Sequence, residues 1–150
     1  MSGSNILSHA GKLLGECTAL EYILLGDLRD LLEEPADEQT CRWLVAVLDA
    51  LLDTIPREIE LQQVGGYLAE VLEQYPNWSG EVVRLKQEKH ALYVKLGGLR
   101  NSIVARAPFS QIADQVSGDL CEWMKSFQAH HRHERRLVHS AFNIEVGTGD

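Results

Sequence analysis

The chain has 150 residues, 45 % of them apolar and 24 % charged, enough to bury one domain's core without disulfides or metal staples. Its 14 basic and 22 acidic residues leave a formal net charge of −8, which argues against nucleic acid and anionic membranes as partners. No apolar run approaches the roughly 18 residues of a membrane span, no basic leader opens the chain, and three scattered cysteines, Cys17, Cys41 and Cys121, suit a reducing cytoplasm better than a disulfide framework.

The hydrophobic period is 3.6 residues throughout, and no stretch of strict alternation competes with it. It predicts four helices. The first runs from about Asn5 to Glu33 and stops ahead of Pro35, because the residue before a proline is pushed out of the helical region. Asp37 caps the second, which extends to about Gln74. Pro56 should kink it, since the ring removes a donor and crowds the carbonyl of Leu52. Tyr75 to Gly80 is a loop by composition, and the third helix covers Gly80 to Ala105. Pro108 marks the next break, with Ser110 as N-cap, and the fourth helix reaches about Phe142, leaving Val146 to Asp150 as a tail. Helices of this length with short connections predict an all-α, antiparallel up-down-up-down four-helix bundle, with residues 1–150 as a single domain.

Polar side chains interrupt each apolar stripe. The first stripe reads Leu13, Cys17, Glu21, Leu24, Leu28; the second reads Leu48, Leu51, Ile55, Glu58, Gln62, Gly65. The third carries Glu88 between Leu85 and Leu92. The fourth carries His130 and Glu134 between Phe127 and Leu137. An unpaired charge in a bundle core is expensive, so these groups must neutralise one another or share a cation. The candidate metal ligands are Glu21, Glu58, Glu88, His130 and Glu134, with Cys17 and Gln62 beside them. Mixed oxygen and nitrogen ligation suits iron, manganese or zinc, in a mono- or dinuclear centre. His131, His133 and His139, with Arg132, Arg135 and Arg136, read as a solvated face on which only His130 turns inward. No nucleophile–base–orienter set supports a hydrolase, and the paired Glu-x-x-His motifs of a ferritin-like oxidase are missing.

Three segments resemble the hemerythrin-like (HHE cation-binding) family, especially its bacterial single-domain members. Leu61-Gln62-Gln63-Val64-Gly65-Gly66-Tyr67-Leu68 is similar to the second-helix segment with Glu-Glu before Gly-Gly-Tyr. Leu85-Lys86-Gln87-Glu88-Lys89-His90 is similar to the third-helix Leu-x-x-Glu-His segment. His130-His131-Arg132-His133-Glu134 resembles the fourth-helix His-Glu-x-x-Glu motif, and the ending Ala141 to Asp150 is similar to the family's tail. The resemblance implies a four-helix bundle around a non-haem di-iron centre that binds or senses oxygen. Against the family's ligands, Cys17, Glu58 and Glu88 stand where histidines are expected, Gln62 where a glutamate is, and Leu92 at a further histidine; His130 and Glu134 match. Two functions follow as expectations. One is a metal-binding bundle with a remodelled, carboxylate-rich site used for sensing or storage. The other is a metal-free scaffold of the same kind, acting as an interaction or regulatory module through internal ion pairs of Glu58, Glu88 and His130. With so few inward histidines, no stable oxygen complex of the hemerythrin type is expected in either case.

Overall fold

The computed structural model describes residues 2–65, 71, 73–105 and 108–148, and side-chain surroundings within 9–63, 71, 73–105 and 108–140. The described residues are helical, with no strand among them. Among the described residues there are four long helices: α1 (Ser2–Leu31), α2 (Glu38–Gly65), α3 (Ser79–Ala105) and α4 (Phe109–Thr148). None of them is long and apolar enough to cross a membrane.

The breaks lie close to where the prolines put them. After Leu31 the chain closes with short-range bonds, Glu33 N to Asp30 O and Glu34 N to Leu31 O. Asp37 then caps α2, accepting the Thr40 amide at 2.8 Å. That bond holds the Asp37 carboxyl below its ordinary range, as expected when a donor favours the charged form. Pro56 lies within α2, as expected, and the described helix runs past it to Gly65. Three boundaries differ from expectation. Pro76 to Trp78 form a short 3₁₀ turn, and α3 begins directly at Ser79 rather than after an open loop. Helix α4 starts at Phe109, so Ser110 belongs to its first turn rather than capping it, and it continues to Thr148, so residues 146–148 are not a tail. No proline follows Pro108, and nothing else in the segment forces an earlier stop. Residues 66–70 and 72, which the second helix was expected to include and which hold most of the Gly-Gly-Tyr segment, and residues 149–150 lie outside the described residues.

Helix α1 packs on α2, α2 on α3 and α3 on α4, whereas α1 and α4 do not pack closely. The main apolar core includes Leu28, Leu48, Leu51, Ile55, Leu96, Leu120, Trp123 and Phe127. A smaller cluster of Val82, Leu85 and Leu137 lies further along α3 and α4. Between the two clusters, in the chain order of both helices, come Lys89 on α3 and His130 and Glu134 on α4. The polar interruptions of the stripes therefore form a layer between two apolar ones.

Candidate functional site

Lys89 sits at the centre of that layer, 1 % exposed. Its stripe leaves one turn between Leu85 and Leu92, and either Glu88 or Lys89 can fill it, three or four residues on from Leu85. The structure turns Lys89 inward. Its ammonium meets the Glu58 carboxylate, lies 2.8 Å from Glu134 Oε1 and donates to Gln62 Oε1 at 3.2 Å. An ammonium has three donors, so three acceptors from α2 and α4 satisfy it. Gln62 closes the circuit by donating to Glu134 Oε2 at 2.7 Å. Burial alone would lower the lysine pKa. The Glu134 and Glu58 carboxylates outweigh it and hold the ammonium above its ordinary value.

His130, fully buried, bridges two carboxylates: Nδ1 lies 2.7 Å from Glu88 Oε1 and Nε2 meets Glu134 Oε1. Glu88 is thus at the rim, its side chain 40 % exposed, not on the inner face where the stripe placed it. Burial would raise the Glu134 pKa, but the hydrogen bond from His130 and the charges of Lys89 and His130 bring it down to about 2. The position of this layer along α4 is set by packing below it. Trp123 is buried and donates to the Leu92 carbonyl at 2.9 Å. Phe127 stacks on Trp123, with centroids 4.8 Å apart, and His131 packs on Phe127 at 4.5 Å. These three residues, spaced by four, form one face of α4.

His131 therefore also turns inward, contrary to the expectation that only His130 does. Its Nε2 lies 3.6 Å from Glu21 Oε2 and 3.7 Å from Glu58 Oε1. Burial lowers its pKa, against the pull of Glu58. Glu21 is 1 % exposed, and neither of its oxygens has a hydrogen-bond donor from another residue; Glu58 Oε2 has none either. Burial, then a hydrogen bond shared with Glu58 and that residue's charge, push Glu21 up to about 10. A proton held by Glu21 lets the two carboxyls stand together. For Glu58, burial is outweighed by the Glu21 hydrogen bond and by Lys89, so it stays ionised.

The structure thus brings together Glu21, Glu58, Gln62, His130 and Glu134, leaves Glu88 at the edge, and adds Lys89 and His131, which the sequence did not single out. Cys17 is buried nearby, and burial, then Glu21 and Glu58, raise its thiol pKa. A thiol is not the thiolate that a metal takes. Among the described residues, Glu21, Glu58 and His131 offer ligand atoms within 4.8 Å of one another. A di-iron centre does not fit these donors. The two inner carboxylates that would bridge or cap metal, Glu58 and Glu134, are both engaged by the Lys89 ammonium, and a third, Glu21, holds a proton.

Beside this cluster a cavity of about 740 Å³ opens between α1 and α4. Glu21, Glu58 and His131 face it from within, and Leu14, Phe127 and Val138 are among its walls. Set against family models, characterised proteins and solved structures, the chain gives no match.

Proposed function

We propose that the chain is a hemerythrin-like, antiparallel up-down-up-down bundle in which the ammonium of Lys89 replaces the metal, and that it works as a metal-free binding or regulatory module. Lys89 carries the reading. A buried cation with all three donors used, between carboxylates from α2 and α4, meets the same electrostatic need as a metal ion. The register of contacts supports the up-down order. Asp49 meets Arg100 and Glu58 meets Lys89 across α2 and α3, while Leu92 meets Trp123 and Glu88 meets His130 across α3 and α4. In each pair of helices one number rises as the other falls.

The rival reading, a remodelled iron, manganese or zinc site built from Glu21, Glu58, Glu88, His130 and Glu134, has to displace the Lys89 ammonium and the Glu21 proton. The test is thermal unfolding of protein purified without chelator or affinity-tag metal, with and without a strong chelator. A bound metal adds stability by mass action, and a chelator removes it. The proposal expects one melting temperature in both conditions and no stoichiometric metal; a chelator-dependent fall would overturn it.

A further inference from the structure

The cavity between α1 and α4 ends on a set of buried polar atoms that the rest of the protein leaves without a partner. Glu21 Oε1 and Oε2, Glu58 Oε2 and His131 Nε2 are buried and have no hydrogen-bond partner. Buried polar groups are ordinarily paired, and these four face one space that the protein leaves open. Along α1 that space is bounded by Gly11, Gly15 and Thr18 before Glu21 is reached, one helix face of small residues. A Cβ built on Gly11 or Gly15 meets nothing within 4 Å, so the wall is recessed, not packed. Ten residues of helix separate Gly11 from Glu21, a slot of about 15 Å. The opposite wall, on α4, sets Phe127 and Val138 among polar residues that include Gln128, Arg132 and Arg135. A cavity of this size, with apolar walls and a few convergent polar groups, is of the kind that holds a small organic ligand.

We propose that this slot binds a primary amine with an aliphatic tail, its ammonium seated against Glu21, Glu58 and His131 and its tail lying along Gly11, Gly15 and Phe127. An ammonium brings three donors to a floor made of two carboxyls and an imidazole. The bundle already shows the preference, since Lys89 offers the same group to the other side of Glu58. Charge also favours a monovalent guest. Around the floor stand Cys17 and Glu21 on α1, Glu58 on α2, Lys89 on α3, and His130, His131 and Glu134 on α4. A monovalent ammonium adds one positive charge beside Lys89, where a divalent ion adds two. Arg132 and Arg135 line the cavity too, and both are exposed to solvent.

The inference rests on Lys89 holding the central position, and its test separates the two. Octylamine, octanol, octanoate and zinc chloride are titrated calorimetrically into the wild type, Glu21→Gln and Gly15→Leu. The metal-free reading is checked on the same samples by chelator-independent melting. Octylamine should bind the wild type at least tenfold more tightly than octanol and octanoate. It should weaken at least tenfold in Glu21→Gln, and be lost in Gly15→Leu, whose side chain fills the slot while leaving the floor intact. Equal binding of octanol, no binding of octylamine, indifference to Glu21→Gln, or zinc binding that excludes octylamine would each overturn the proposal. If melting is chelator-independent while octylamine fails to bind, the amine site alone is wrong; if melting depends on chelator, the Lys89 reading falls.

Discussion

Lys89→Met removes the central ammonium and keeps a flexible apolar stem of similar length. Glu58, 1 % exposed, and Glu134, whose side chain is 14 % exposed, then face each other with no cation between them. Taking one partner out of a buried ionic group costs about 3–5 kcal/mol, because the remaining charge is stranded. At about 2–4 °C per kcal/mol for a chain of this size, the melting temperature should fall by roughly 6–20 °C. The loss should depend on pH in a stated direction. In the wild type, Glu134 ionises at about 2, where His130 and Lys89 hold it against burial. A depressed folded pKa gives stability that is present above the ordinary carboxylate range and lost as pH falls toward 2. Without the ammonium the folded pKa values of both carboxylates climb above their unfolded values. Stability then falls as pH rises past the carboxylate range. The variant should thus be weakest relative to wild type at pH 7 and close much of the gap by pH 4. Urea unfolding followed by far-ultraviolet circular dichroism at both pH values measures this. A variant within about 1 kcal/mol of wild type at pH 7 would mean that the ammonium is not paired in a dry centre.

Further outcomes follow from the same layer. Glu21 is raised to about 10, so the folded state holds a proton that the unfolded chain gives up near the ordinary carboxylate value, and wild-type stability falls as pH rises between the two; Glu21→Gln removes that loss. In urea unfolding the Gln variant should gain on wild type from pH 5 to pH 8 by up to about 1.4 kcal/mol per pH unit, and a constant gap would show that Glu21 is ionised. Trp123→Phe leaves the Leu92 carbonyl without its indole donor and opens space above Phe127, a loss of about 1–3 kcal/mol in urea unfolding; Trp43, 58 % exposed, can be changed to Ala with an effect within about 0.5 kcal/mol. Equal effects of the two would contradict the packing described for α4.

The helical architecture was legible because apolar periodicity and three prolines are local signals. On α2 the structure buries the stripe from Leu48 to Gln62, and on α1 it buries Cys17, Glu21, Leu24 and Leu28 but takes Leu14 inward in place of Leu13. The third helix failed by one residue. Glu88 and Lys89 both lie one turn from Leu85, so the stripe alone does not choose between them. The reach of the long lysine stem to carboxylates on two other helices cannot be seen from a stripe drawn on one helix. His131 was missed for a similar reason. The adjacent His130 took the inward position, but α1 and α4 are far enough apart for His131 to turn into the space between them. That gap has no counterpart in a periodicity pattern, because it depends on how two helices distant in sequence approach each other. The ends of α4 were misjudged because composition marks where a helix can stop, not where it must.

The central claim is that Lys89 stands where a metal would. Zinc or manganese titrated into wild type and Lys89→Met, with melting temperature and bound metal measured together, tests it most directly. The wild type should neither bind stoichiometric metal nor change its melting temperature. Lys89→Met frees Glu58 and Glu134 beside His130, so it should bind metal and regain about 2.7 kcal/mol of stability at a hundredfold excess over its dissociation constant. Stoichiometric metal in the wild type, with melting that responds to it while Lys89 is in place, would contradict the account.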